Sequence, residues 1–285
     1  AVPKGHELYA AASHHTNNPP KCSKDDFLDI SAETPESYTK SLSRIIHKSV
    51  PSPIHHGPRD DELEVVWTDY LSAAMMSKEG KACLVLTADM RRMIWRHGVP
   101  NGHRSAIWPL LANVLYNQVP EDLLDRYKLE LERAEDSVEL TIVEEIERDL
   151  KRSLPDHHLF KDTRGLSALK RVLLITSHRN GLHGYTQAMN MIAAILLIHL
   201  PEPVAVEVLS KCTSEWLPDT YSRSMLGGAV DQRVFEETLC QQFPEKAEML
   251  TKSGDVAIIT FGWFVAWFAN LLNIENEVRF FDVFL

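Results

Sequence analysis

The sequence predicts an all-α, multi-helix fold. From about residue 87 onward, apolar residues recur at three- and four-residue steps, the period of helices that bury one face. Helix start and stop signals (Thr87, Pro120, Pro155, Gly181, Pro201) fall between those stretches at helix-sized intervals. No segment alternates apolar and polar residues as a half-buried strand would, and no internal repeat occurs.

Residues 1–59 read as a disordered leader. They hold seven of the 15 prolines and six of the 13 histidines. Only Phe27-Leu28 and Ile45-Ile46 break the polar background, too little apolar surface to offset the entropy of ordering. Residues 60–86 read as a helical extension and linker. Leu63, Val66, Trp67, Tyr70, Leu71 and Ala74 make one apolar stripe, and Gly80 is placed to stop it.

Residues 87–285 read as one helical domain. Thr87 caps a helix through Met90, Ile94 and Trp95 that ends before Gly98 and Pro100. A second runs from Arg104 to Leu115. Pro120 opens a third, with Glu121 and Asp122 in its first turn. A fourth spans Glu139 to Arg152 and ends before Pro155. Leu166 to His178 is halted near Gly181, and Tyr185 to Leu200 is stopped by Pro201. Segments 203–216, 229–242, 244–251 and 256–273 complete the series.

Composition removes several function classes. The net charge of −10 argues against a nucleic-acid-binding body, whose footprint is basic. Leu182–Pro201 and Val256–Ile274 carry no Lys, Arg, Asp or Glu, but His183, Gln187, Asn190 and His199, or Thr260, Asn270 and Asn273, make them buried helices rather than membrane spans. The four cysteines lie apart without a C-x-x-C pair, so a reducing, cytoplasmic setting is expected. The paired histidines (His14-His15, His55-His56, His157-His158) diverge on a helix and do not make a metal motif. There is no G-x-x-x-x-G-K-[ST] and no G-x-S-x-G, so the chain shows neither a nucleotide loop nor a nucleophile elbow of its own.

Charge is unevenly spread. Residues 121–147 hold eleven acids and three bases, whereas 148–179 hold eight bases and three acids. Asp149 and Arg152 stand at that border, three residues apart and so neighbours on a helix, with Ile146 a further three residues back. Alone, such a pair is an ordinary surface ion pair worth less than about 1 kcal/mol.

Its company changes that reading. Ile146-Glu-Arg-Asp149-Leu-Lys-Arg152 and, about 35 residues on, Tyr185-Thr-Gln187-Ala-Met-Asn190 resemble the I-x-x-D-x-x-R and Y-x-Q-G-M-N motifs of the TBC-domain family of Rab GTPase-activating proteins. Val99-Pro100-Asn-Gly-His-Arg104-Ser-Ala-Ile-Trp108, Trp263-Phe264 to Phe268, and Arg279-Phe-Phe-Asp282-Val-Phe284-Leu285 resemble three further family segments, in the same order. The resemblance covers about residues 91–285.

It implies a TBC-like domain, C-terminally incomplete by the family pattern, that accelerates GTP hydrolysis by a Rab-type small GTPase. Arg152 would neutralise charge on the transferring phosphoryl group and Gln187 would position the attacking water. Asp149 would orient Arg152. Tyr185, Asn190 and Arg104 would support the site, although Arg104 reads equally well as a tie between helices. The protein would carry no cofactor, since Mg²⁺ and GTP arrive with the partner. Recruitment to endomembranes would fall to regions outside this chain. Gln187 is expected in the first turn of its helix, where free backbone N–H groups favour a phosphate. Ala188 stands where the family has Gly, and within a helix that change is favourable by about 1 kcal/mol. Two other readings remain: a TBC-like module that binds a GTPase without activating it, and a helical scaffold that docks through the acidic 121–147 stretch.

Overall fold

Helix α1 (Ala88–His97) starts where the Thr87 hydroxyl accepts the Met90 N–H at 3.2 Å. It stops at Gly98, whose φ of +83° reverses the chain. A Cβ at Gly98 would lie 2.8 Å from Arg279 Cδ, so glycine is required there on two counts. Met90 and Ile94 face inward, whereas Trp95 points outward and is 70% exposed. The computed structural model describes residues 64–65, 67–69, 86–114, 120, 122–253, 256–269 and 271–285. The leader expected at 1–59, most of the 60–86 extension, and the expected helix end at Leu115 lie outside them.

A short 3-10 turn, Asn101–His103, leads into α2 (Arg104–Leu111). Then follow α3 (Leu123–Ser137), α4 (Leu140–Leu150), the single turn α5 (His158–Lys161) and α6 (Thr163–Arg179). Next come α7 (Met189–His199), α8 (Glu202–Lys211) with a π-helical turn at Cys212–Trp216, α9 (Leu226–Gln242), α10 (Pro244–Ser253), α11 (Val256–Val265) and α12 (Ile274–Phe284). Every regular element among the described residues is helical, and none of those helices is long and apolar enough to cross a membrane.

α6 is the axis of the fold. It packs against α3, α4, α5, α7 and α8. Asp162 caps it by accepting the Arg164 N–H at 3.0 Å. At Gly165 a Cβ would lie 2.0 Å from the Leu159 carbonyl oxygen, so only glycine lets α5 approach this closely. From Val172 to Ser177, α6 is buried all round. Val172, Leu173, Leu174 and Ile175 share one core with the apolar α7, whose Ile192, Ala193, Ile195 and Leu196 are fully enclosed.

Buried charge is paired. Glu202, at the start of α8, accepts from Tyr127 Oη on α3 at 2.5 Å and from Arg171 on α6 at 2.8 and 2.7 Å. Burial, and then the Glu202 carboxylate, push the Tyr127 hydroxyl well above its ordinary range, so it stays a neutral donor. A second cluster (Trp67, Met90, Ile94, Val99, Ile107) forms around α1. It is tied to α12 through Asp282, a carboxylate 1% exposed that accepts from Val99 N–H at 2.9 Å, Arg104 Nε at 2.9 Å, Arg104 Nη2 at 3.0 Å and Trp108 Nε1 at 2.8 Å.

Several boundaries differ from those expected. α3 begins at Leu123 rather than Pro120. The expected helix 203–216 changes from α to π winding at Cys212. The helix expected over 256–273 stops at Val265, because Trp267 and Phe268 take φ of +52° and +64°. Tertiary packing holds that break. Trp267 is 1% exposed, with its ring 5.4 Å from Phe281 and 4.4 Å from Phe284. α12 is absent from the helices read in the sequence, although Asn273 caps it by accepting the Asn276 N–H at 3.0 Å.

Candidate functional site

α4 and α7 touch each other across the flank of α6. The chain leaving α4 therefore lies against the chain approaching α7. α4 shows a clear division of faces: Ile146 is fully buried, while Glu144, Glu145 and Glu147 are exposed. The sequence places Arg152 in this helix, but the helix closes at Leu150. Two tighter bonds then wind up the end, from Arg152 N–H to the Asp149 carbonyl at 3.0 Å and from Ser153 N–H to the Leu150 carbonyl at 3.2 Å. Leu154 takes φ +47° just before Pro155, which ends any continuation.

That extra turn preserves the three-residue spacing the motif needs. Arg152 Nη2 donates to Asp149 Oδ1. The hydrogen bond, and then the charge of Asp149, raise the Arg152 pKa above its ordinary value, so the cation is permanent. The two residues differ in exposure, with the Asp149 side chain at 6% and that of Arg152 at 63%. The anion is an inner brace and the cation is offered outward.

Tyr185 holds the other oxygen of the brace. Its hydroxyl donates to Asp149 Oδ2 at 2.6 Å. Burial, and then the bond to Asp149, push the Tyr185 pKa far above its ordinary value. Asn190 joins the two segments a second time. Its Nδ2 donates to Ser153 Oγ at 2.8 Å and lies 3.4 Å from the Asp149 carbonyl, while its Oδ1 accepts the Ala188 N–H at 3.2 Å. Asp149, Ser153, Tyr185 and Asn190 are each less than 9% exposed.

Gln187 is exposed and has no side-chain hydrogen bond among the described residues. It does not sit in the first turn of α7. It occupies a turn ahead of that helix, and Ala188 follows as the N-cap with φ +88° and ψ −21°. The expected benefit of Ala over Gly at 188 is thereby reversed. In this left-handed conformation a Cβ costs roughly 1–2 kcal/mol that glycine avoids. Thr186 anchors the turn from below by donating to the Tyr221 carbonyl at 2.9 Å.

Of the residues singled out in the sequence, Asp149, Arg152, Tyr185 and Asn190 meet directly, and Gln187 stands beside them in the chain. Arg104 belongs elsewhere. Its side chain is bonded to Asp282 and Asn101, so it ties α2 to α12 rather than supporting the exposed pair. Sequence reasoning gave no structural role to Asp282, the centre of that tie, because its donors lie 174 to 183 residues away. Thr186 was equally invisible, since its acceptor is 35 residues distant.

The Rab-GTPase-TBC domain family model matches residues 101–285. The TBC1 domain family member 2B of Xenopus tropicalis is 30% identical over 225 residues, 78% of this chain and 23% of that protein. The GTPase-activating protein gyp2 of Schizosaccharomyces pombe is 30% identical over 205 residues, 70% of this chain and 27% of that protein. The chain thus spans about a quarter of the length of these curated relatives. The fold matches the crystal structure of the Chlamydomonas flagellar RabGAP TBC domain with a TM-score of 0.62 at 22% identity, covering 88% of this chain and 76% of that one. It also matches the Ypt/Rab-GAP domain of Gyp1p with a TM-score of 0.61 at 16% identity, covering 77% and 78%. With a family model spanning residues 101–285 and both motif segments inside it, the chain belongs to the Rab-GTPase-TBC domain family.

Proposed function

We propose that the chain accelerates GTP hydrolysis on a Rab-type GTPase by supplying two groups in trans, the Arg152 guanidinium and the Gln187 amide. The observation that carries this reading is the contrast at the site. Two exposed polar side chains stand on a buried frame of Asp149, Ser153, Tyr185 and Asn190 whose every member is hydrogen-bonded within it.

The chemistry follows from what the transition state lacks. Charge builds on the equatorial oxygens of the transferring phosphoryl group, and a small GTPase alone neutralises it incompletely. A guanidinium brought in by a partner supplies about 10³- to 10⁵-fold in rate in related systems. Arg suits the task because its planar fork stays charged and can address two oxygens at once. Asp149 restricts the rotamers of Arg152 before docking, so less entropy is lost on engagement. Gln187 can donate to and accept from a water, which lets it hold the nucleophile in line. Mg²⁺ and the nucleotide belong to the GTPase.

One observation favours a second reading, a module that binds the GTPase without activating it. Ala188 is buried beside Gln187 with its backbone in a conformation suited to glycine. If that turn relaxes on docking, the glutamine is displaced while binding through the rest of the surface persists. The discriminating experiment measures affinity and single-turnover phosphate release on the same panel of GTP-loaded Rab GTPases. The account expects at least one GTPase that both binds and is accelerated. Binding without acceleration across the panel selects the second reading. Binding that survives charge reversal at Arg152 but fails when Glu144, Glu145 and Glu147 are neutralised selects a scaffold instead.

A further inference from the structure

We propose that Ser153 is a positioning residue that couples the Arg152 and Gln187 segments into one unit by holding Ala188 in its left-handed conformation. The catalytic consequence rests on the function proposed above, whereas the coupling itself does not.

Ser153 is fully buried and both of its hydrogen-bonding roles are used. Its hydroxyl donates to the Asp149 carbonyl at 2.8 Å and accepts from Asn190 Nδ2 at 2.8 Å. The other end of the Asn190 amide accepts the Ala188 N–H at 3.2 Å. Two bonds thus run through Asn190 from the residue after Arg152 to the residue after Gln187, and the third ties Ser153 to its own segment. The donor end of the Asn190 amide is fixed chiefly by Ser153, because its other contact, to the Asp149 carbonyl, is long at 3.4 Å, while the acceptor end also receives the Tyr185 hydroxyl at 3.2 Å.

The state held by this chain of bonds is strained. Ala188 at φ +88° returns to an ordinary conformation if released, and its N–H then leaves the Asn190 oxygen. Gln187 precedes it and turns with it. A glycine at 188 would have no such tendency. The alanine therefore makes the geometry of the Gln187 turn depend on a hydroxyl on the other segment. Tyr185 pins the near end of the turn through its 2.6 Å bond to Asp149 Oδ2 and touches Asn190 Oδ1 only at a longer 3.2 Å, so the short bond that orients the amide toward Ala188 is the one from Ser153.

The test is amide hydrogen exchange on the isolated protein, comparing wild type, Ser153→Ala and Ser153→Cys, the last of which fills the space with a weak hydrogen-bonding group. The expected result is exchange at residues 187–190 at least tenfold faster in both variants, with the α6 core still protected. The increase should shrink to threefold or less when Ala188→Gly is added. Unchanged exchange at 187–190 overturns the coupling, as does an increase of equal size in the glycine background. Single-turnover phosphate release from a Rab GTPase that wild type accelerates is the second readout. Ser153→Cys is expected to lower the maximal rate about tenfold while the half-saturating concentration stays within twofold. A wild-type rate in that variant contradicts the positioning role. If wild type accelerates no GTPase, the functional reading fails and the exchange result still decides the coupling.

Discussion

The Tyr185 hydroxyl lies 2.6 Å from Asp149 Oδ2, and the opposite oxygen of the same carboxylate receives Arg152. One buried acid therefore fixes a residue on each of two chain segments whose neighbouring side chains, Arg152 and Gln187, face solvent. Each face of that carboxylate is open to separate test.

Tyr185→Phe keeps the ring and removes the hydroxyl, losing its 2.6 Å bond to Asp149 and its longer 3.2 Å contact to Asn190 Oδ1. It leaves a buried carboxylate oxygen short of a donor, which costs about 1–3 kcal/mol. GTPase stimulation is expected to fall about tenfold through a looser Arg152. A melting curve with phosphate-release kinetics checks both effects, and activity equal to wild type contradicts the brace.

Ala188→Gly removes a Cβ from a left-handed residue. Relief of about 1–2 kcal/mol is offset by the greater freedom of glycine in the unfolded chain, about 0.4–1 kcal/mol, and by loss of a methyl buried in the core, about 0.8 kcal/mol. The net expectation is a melting temperature within about 3 °C of wild type, with phosphate-release activity retained or increased. A fall in melting temperature of the size of an ordinary glycine substitution within a helix, beyond about 4 °C, contradicts the assigned backbone conformation.

Arg104→Ala probes the tie to α12. It strands the Asp282 carboxylate, 1% exposed, among donors it can no longer share fully. Removing one partner of a buried pair costs about 3–5 kcal/mol. Denaturant unfolding should show that loss. The fraction still folded at low temperature should retain wild-type activity, since Arg104 has no bond to the exposed pair. Selective loss of catalysis without loss of stability would restore Arg104 to the site.

Histidine burial sets an acid limit. Burial, and then the neighbouring charge of His158, lower the His157 pKa from 6.5 to about 4. Burial, and then Arg104, lower that of His199 in the same direction. Such a histidine binds its proton more readily when unfolded. Its contribution to stability is full above about pH 6.5, and it declines as pH falls from 6.5 towards 4. His157→Asn, which keeps a cap acceptor for the Leu159 N–H, should flatten the decline in melting temperature between pH 6.5 and 4. An identical slope in wild type and variant counts against a half-buried His157 that stays neutral.

These tests follow a divide between what local sequence encodes and what the fold imposes. Thr87, Pro155, Gly181 and Pro201 mark helix ends through local chemistry and were legible, as was the three-residue spacing of Ile146, Asp149 and Arg152. The start of α7 was not. The apolar pattern continues back to Tyr185, but bonds to Asp149 and Tyr221 hold residues 185–188 out of the helix. The premature end of α11 has the same cause, since Trp267 is drawn into the aromatic packing of α12. The motifs identified the exposed pair through family resemblance. The brace beneath it, and the role of Asp282, depend on contacts between residues far apart in the chain.

The central claim is that Arg152 acts as a cation presented to the phosphoryl group. Single-turnover phosphate release from a responsive GTP-loaded Rab GTPase, with wild type, Arg152→Ala, Arg152→Lys and Gln187→Ala compared at equal folded concentration, tests it most directly. The account predicts that Arg152→Ala lowers the second-order rate constant by at least about 10²-fold, that Arg152→Lys restores little of it, and that Gln187→Ala is also strongly impaired. Near-wild-type acceleration by Arg152→Lys or Arg152→Ala would contradict it.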